Sequence, residues 1–259
     1  MRNLNKLFNK KNIVIITCYD ATFASFLSGA GCDALLVGDS LGVLIKGEPS
    51  TRQVKIDEVV YHTKAVRRGA PLIPIISDMP INSYLNKSLA LNNAKLLVKA
   101  GADMVKIEGD NSILEIIKHL SKHKIKVCGH IGSMPQINKI QKPINKSLLA
   151  KAKKLEDAGL KMIVMSMTSV TNDKNITREL SIPTISFRSS SSCNGEVELL
   201  YDLLGISKAS QNRTKRAALR LASISKQPAR TIGWLATTPI VVPSIRTKPV
   251  RIFFAKSLA

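Results

Sequence analysis

Lys106 and Glu108 stand two residues apart in MVKIEG, a stretch where charged and apolar residues alternate. On a strand such residues share one face, and Val105 and Ile107 take the other. The helix-like segment SLALNNAKLLVKAG runs directly into this stretch. A strand entered from a helix is usually parallel and covered on both faces. The two charges therefore lie in or at the mouth of a protein interior, where an uncompensated charge is costly. Either they compensate each other as a plain ion pair, or a metal or a ligand does so.

Three more residues hold equivalent places. Asp39 follows the apolar run ALLVG, Asp78 follows LIPIIS, and His130 follows IKVCG. One acid after a strand is commonly a helix cap. Three acids and a histidine at four successive strand ends make a constellation. Asp39, Asp78 and Glu108 supply hard oxygen ligands of the kind Mg²⁺ or Mn²⁺ prefers. Lys106 offers a point charge for a substrate carboxylate or an enolate oxygen. Ser40 adds a hydroxyl or a backbone N–H at the same rim. His130 has three open roles: metal ligand, acid/base, or hydrogen-bonding member of a polar rim. His62, His119 and His123 fall on helical segments and read as surface or packing residues. No GxSxG elbow and no Cys–His pairing point to covalent catalysis. No GxGxxG or GxxxxGK[ST] loop points to a dinucleotide or nucleoside triphosphate.

Bringing these residues to one rim requires a particular order of elements. NIVIIT, ALLVG, LIPIIS, MVKIE, IKVCG, LKMIVMSM and PTISF read as seven strands. Between them lie helical segments: ATFASFLSGAG, IDEVVYHTKAVRRGA, residues 88–99, NSILEIIKHLSKHK, KSLLAKAKKLEDAG and NITRELSI. EVELLYDLLGIS reads as a helix leading to an eighth strand. Such alternation implies a parallel sheet, and seven or eight units imply a (β/α)8 TIM barrel. A doubly wound open sheet is the alternative. The barrel is expected over residues 1–207, incomplete or irregular at its C-terminal end, and a basic tail over 208–259.

The 259 residues, 44% hydrophobic, suffice for one large core. No apolar run is long enough to span a membrane. Residues 1–20 read as a first strand rather than a signal peptide. Cys18, Cys32, Cys128 and Cys193 form no CxxC, which favours a reducing, cytoplasmic setting over disulfides or structural zinc. The net charge is +21, yet residues 203–259 hold five Lys, six Arg and no acid, so +11 of the +21 lies there. That tail would suit nucleic acid, but it has few aromatics and no RNA motif. An unconstrained or frame-shifted end is the other reading.

TCYDATFA, LLVGDSLG, STRQVKIDEVVYHTKAVRRGAP, ISDMP, AGADMVKIEG and VCGHIGSMPQ, in this order, resemble the ketopantoate hydroxymethyltransferase family. The resemblance is strong over about residues 13–136, weak to about 206 and absent beyond. It implies a (β/α)8 barrel, which agrees with the pattern above. It implies that Asp39, Asp78 and Glu108 serve the magnesium site, and that Asp39, Ser40, Asp78 and Lys106 hold an α-keto acid. The implied reaction moves a one-carbon unit from 5,10-methylenetetrahydrofolate to 2-oxoisovalerate, in a homo-oligomer. Three features depart from the family. Ser166 stands where the family has its catalytic Glu, and Asp173, the next acid, falls in the following helix. The loop NKIQKPINKS is shortened, and ISFRSSSS replaces a glycine-rich turn with Arg188 and serines. These departures leave open a homologue that binds magnesium and keto acid with little turnover. A magnesium-dependent lyase of α-keto or 2-hydroxy acids is the nearest enzymatic alternative.

Overall fold

The computed structural model describes residues 4–109, 111–136 and 148–207, with the backbone of 240–242 and 250–252. Within them eight short, mostly apolar runs become strands. They are β1 (Ile13–Thr17), β2 (Ala34–Val37), β3 (Ile75–Asp78), β4 (Met104–Glu108), β5 (Val127–Gly132), β6 (Met162–Ser166), β7 (Thr184–Phe187) and β8 (Gly195–Glu198). Consecutive strands pair in parallel, and the sheet closes into a barrel. The Ile13 N–H donates to Asn194 O at 2.9 Å at the seam. The closed barrel rules out the open doubly wound sheet.

Two expectations are corrected at the C-terminal end. The barrel is complete, and GEVE is its eighth strand rather than part of a helix. Val197 joins the interior cluster, and closing the cylinder outweighs the helical spacing of the surrounding leucines. Irregularity remains, because residues 188–194 link β7 to β8 with no helix, whereas parallel strands ordinarily need a longer crossover.

Helices α2 (Ala21–Gly29), α3 (Leu41–Leu44), α4 (Ile56–Gly69), α5 (Lys87–Ala100), α6 (Leu114–Lys122), α7 (Leu148–Asp157) and α8 (Val170–Glu179) fill the other connections. The longer ones bury one stripe. Val59, Thr63 and Val66 do so on α4, and Leu148, Ala152 and Leu155 on α7. Helix α8 begins five residues before the expected NITRELSI, because Ser169 caps it by accepting from the Asn172 N–H at 3.2 Å. A helix absent from the sequence reading, α1 (Leu4–Phe8), precedes β1. Its Leu4 and Leu7 join Ile13, Ile15, Leu36, Ile76, Met104, Met162 and Ile185 in one apolar cluster. The floor of the barrel is thus dry. Beneath it, Arg67 donates to the carbonyls of Gly101, Ala70 and Ile73 and pairs with Asp103 at 2.6 Å, stapling α4 to the strand entrances.

Internal contacts divide the chain into Met1–Val197 and Glu198–Ala259. In the second unit, α9 is Leu200–Leu203, and Ile240–Val242 (β9) pairs antiparallel with Val250–Ile252 (β10). The shortened loop 138–147 and most of the basic tail lie outside the described residues. Among those described, no helix is long and apolar enough to cross a membrane.

The end of α6 carries a measurable strain. The Ile125 N–H reaches Leu120 O at 3.0 Å and the Lys124 N–H reaches Ser121 O at 2.9 Å, a Schellman closure. It places Lys124 at φ 60°, where Gly101 at the end of α5 sits without penalty at φ 118°. Lys124→Gly is expected to raise stability by about 1 kcal/mol, read by urea unfolding; a loss of stability contradicts this account.

Candidate active site

Each strand's alternation places one more inward residue above the apolar floor. On β3 the residue after Ile76 on that face is Asp78, and on β4 those after Met104 are Lys106 and Glu108. On β5 it is His130, and on β6 it is Ser166. Register then pairs them. Asp78 lies beside Lys106, and Glu108 beside His130. Lys106 and Glu108 do share a face, as their spacing requires.

The contacts are short and internal. Lys106 Nζ lies 2.9 Å from Asp78 Oδ1 and 3.9 Å from Glu108 Oε1. His130 Nδ1 is 2.7 Å from Glu108 Oε1. The Asp39 N–H donates to Asp78 Oδ2 at 3.0 Å. Asp39, Asp78, Lys106, Glu108 and His130 are all buried. Gly38 makes room for this packing, since a Cβ there would meet Ser40 Oγ at 2.9 Å. Ser40 heads α3, and its Oγ lies 2.7 Å from the buried Tyr19 hydroxyl. His62, expected as a packing or surface residue, lies 2.6 Å through Nδ1 from Tyr19 O.

Three residues that matter here were missed in the sequence. Gln136 donates from Nε2 to Asp39 Oδ2 at 2.6 Å and from its backbone N–H to Glu108 Oε2 at 3.1 Å. Tyr84 donates its hydroxyl to Gln136 Oε1 at 2.9 Å. Tyr19 positions Ser40. The signal for Gln136 was its place four residues after a barrel strand; its residue type carried none.

The electrostatics follow from crowding. Burial, then the neighbouring Asp78 charge, pushes the Asp39 carboxyl up to about 7. Burial works to raise Glu108 as well, but His130, Lys106 and the Gln136 N–H outweigh it and hold that carboxyl at about 2. Burial opposes the Lys106 charge, yet Asp78, Glu108 and Asp39 together raise its pKa. Burial pushes the Cys18 and Cys128 thiols up to about 12, so neither is a ready thiolate nucleophile.

Three carboxylates face one lysine, and a divalent cation would neutralise the excess. All three offer hard oxygens, and His130 Nε2 is a buried polar atom without a hydrogen-bond partner. Among the described residues no group of three or more His, Cys, Asp or Glu forms a ready metal cage. Mg²⁺ does not need one, since it takes one or two carboxylates and completes its shell with water and substrate oxygens. The donor set therefore fits that ion. Ser166, at the end of β6, is buried on the inner face and brings no charge to the rim. Asp173 on α8, the next acid in the chain, is engaged in structure. It accepts from Thr168, from Ser189 Oγ at 2.6 Å and from the Ser190 N–H at 2.9 Å, tying two rim loops together.

A closed (β/α)8 barrel with buried acids and a lysine at the C-terminal strand ends is an enzyme scaffold. Solved structures of similar fold include 2,3-dimethylmalate lyase, a PEP mutase/isocitrate lyase superfamily member. That likeness has TM-score 0.61 at 14% identity over 88% of this chain and 87% of the other. Phosphoenolpyruvate phosphomutase from Streptomyces platensis subsp. rosaceus is similar at TM-score 0.62, with 14% identity over 86% and 90%. At such identities the likeness concerns the fold.

The family model for ketopantoate hydroxymethyltransferase matches residues 1–231, and the chain belongs to that family. The 3-methyl-2-oxobutanoate hydroxymethyltransferase of Wigglesworthia glossinidia brevipalpis is 46% identical over 76% of this chain and 77% of its own length. Those of Buchnera aphidicola subsp. Acyrthosiphon pisum (strain 5A) and Nitrosomonas europaea are 41% and 42% identical. They cover 77% and 80% of this chain, and 80% of their own length in each case. These relatives carry one transferase name, so neither a lyase nor a nucleic-acid role is favoured.

The raised Asp39 has a consequence for stability. Its folded pKa exceeds the unfolded one, so the native state holds the proton more tightly, and ionisation works against folding as pH rises from about 4 to about 7. Asp39→Asn removes this penalty. It is expected to stabilise the metal-free protein at pH 8 by roughly 1–3 kcal/mol relative to any change at pH 4, read by urea unfolding. Lys106→Met acts in the opposite direction, leaving Asp78 and Glu108 buried without their cation. A loss of about 3 kcal/mol at pH 8 is expected from thermal unfolding; an unchanged melting temperature contradicts the ion-pair account.

Proposed function

We propose that the chain transfers a hydroxymethyl group to 3-methyl-2-oxobutanoate (2-oxoisovalerate), with 5,10-methylenetetrahydrofolate as the donor. The methylene carbon forms a new bond to C3, water supplies the hydroxyl oxygen, and ketopantoate and tetrahydrofolate leave. The observation that carries this reading is the row Asp39, Asp78, Lys106, Glu108 and His130 on the rims of four adjacent strands, β2 to β5. Membership in the family supports reading this row as the place of that chemistry.

In this reading Asp39, Asp78 and Glu108 are the metal-site acids, and Asp39, Ser40, Asp78 and Lys106 receive the keto acid. Magnesium bound there would polarise the keto and carboxylate oxygens and acidify the C3–H bond. Lys106 stabilises the negative charge that develops on the keto oxygen as that proton leaves. Ser40, held by Tyr19, orients the carboxylate through its hydroxyl or backbone N–H. The dry floor keeps water from approaching the substrate from below. The proton itself needs an acceptor. Ser166 occupies the family's glutamate position, and an unaided hydroxyl is no base near neutral pH. The proposed activity is therefore slow.

Exchange of the C3 proton with deuterated water, followed by NMR at saturating Mg²⁺, tests both parts. The chain is expected to exchange above the uncatalysed rate, and Ser166→Glu is expected to accelerate exchange by about 10²–10⁴-fold. Exchange at the background rate in both proteins would sink the proposed function. Fast exchange in the unaltered chain, with no gain from the glutamate, would show that another group already serves as base.

A further inference from the structure

Gln136 is fully buried, and the reaction as described gives it no part. Its side chain makes three hydrogen bonds. Nε2 donates to Asp39 Oδ2 at 2.6 Å and to Met79 O at 3.3 Å, and Oε1 accepts from the Tyr84 hydroxyl at 2.9 Å. The backbone N–H donates to Glu108 Oε2 at 3.1 Å. This set fixes the amide orientation, since exchanging O and N would set an acceptor against both the Asp39 carboxylate and the Met79 carbonyl. Tyr84 is itself anchored, its hydroxyl accepting from the Glu108 N–H at 3.4 Å.

We infer that Gln136 is the positioning residue that couples Asp39 to Glu108 and so sets the affinity of the rim for a divalent cation. This inference rests on the metal-site reading above. Asp39 follows β2 and Glu108 ends β4, with β3 between them. Two inter-strand spacings, about 9–10 Å, separate those backbones. Strand pairing alone leaves the two side chains free to turn apart. Asp78, a like charge whose Oδ2 accepts from the Asp39 N–H at 3.0 Å, lies beside Asp39 and favours such a turn. Gln136, reaching across from the loop after β5, bonds one oxygen of each carboxylate. Asp39 Oδ1 is left for another ligand, and Glu108 Oε1 is oriented by His130. Carboxylates that bind metals are commonly held in this manner by an outer layer of donors.

The test uses Mn²⁺ as the probe and the full chain, with free Mn²⁺ read by electron paramagnetic resonance and binding heat by calorimetry. Gln136→Met keeps the volume and removes the amide. It is expected to weaken Mn²⁺ binding about 10–100-fold and to alter the line shape of the bound ion. Tyr84→Phe deletes only the hydroxyl that orients the amide, so a smaller loss in the same direction is expected. It also serves as the test should Gln136→Met fail to fold. Affinity within twofold of the unaltered chain in folded variants would overturn the inference. Tighter binding would overturn it too, since Gln136 would then be competing for the ion's place. Absence of Mn²⁺ binding by the unaltered chain removes the metal-site reading itself, a result distinct from either.

Discussion

Lys106 is the one lysine or arginine buried among the described residues, and the upper half of the barrel is arranged around it. A buried ammonium is tolerable only when its charge is met at close range. Asp78 meets it from β3, its neighbour in register, and Glu108 from the same strand. The lysine in turn makes it possible to hold three carboxylates in so small a volume. Remove it, and Asp39, Asp78 and Glu108 repel one another with nothing between them. The mutual dependence is uneven, because Glu108 is strongly held in its ionised form while Asp39 is not. Asp39 is thus the member of the set most responsive to its surroundings.

Much of this was legible in the sequence, for local reasons. Lys106 and Glu108 declare a shared face by their spacing, and Asp39, Asp78 and His130 declare themselves by ending apolar runs. The punctuation of the helices is equally local, as in the Ala-Gly ends at Gly101 and Gly159. Whatever depended on closure was not legible. The GEVE segment takes its conformation from β7 and β1 on either side. The helix α1 has little periodicity of its own, and is explained only by the apolar barrel end that it covers. Gln136 lies far in sequence from Asp39 and Glu108, so its partners are set by the curvature of the sheet.

Two of the departures read from the sequence, Ser166 and the serine-rich turn, share one arc of the rim. Ser166 ends β6, and the serine-rich turn after β7 carries the helix-free crossing to β8. Met167 and Arg188 both adopt left-handed backbone, at φ 53° each, just past those strand ends. Arg188 folds back over the Phe187 ring, 5.0 Å from its centroid. Asp173 binds the two loops together there, using a buried carboxylate for structure. The opposite arc, β2 to β5, keeps the acids, the lysine and the histidine. In the proposed reading, the binding side of the rim is kept and the side from which a base would act is reworked.

The dry floor of the barrel has a further effect on these charges. Leu4 and Leu7 seal the lower end, and layers of Ile, Leu and Met fill the space up to the ionised row. Such a filling polarises little, while water at the open end polarises strongly. Field lines from the carboxylates are therefore squeezed upward, and the potential of the row is projected into the mouth rather than spread through the protein. On a chain of net charge +21, the row is a local concentration of carboxylates. The apolar plug thus acts as an electrical insulator as much as a mechanical stopper.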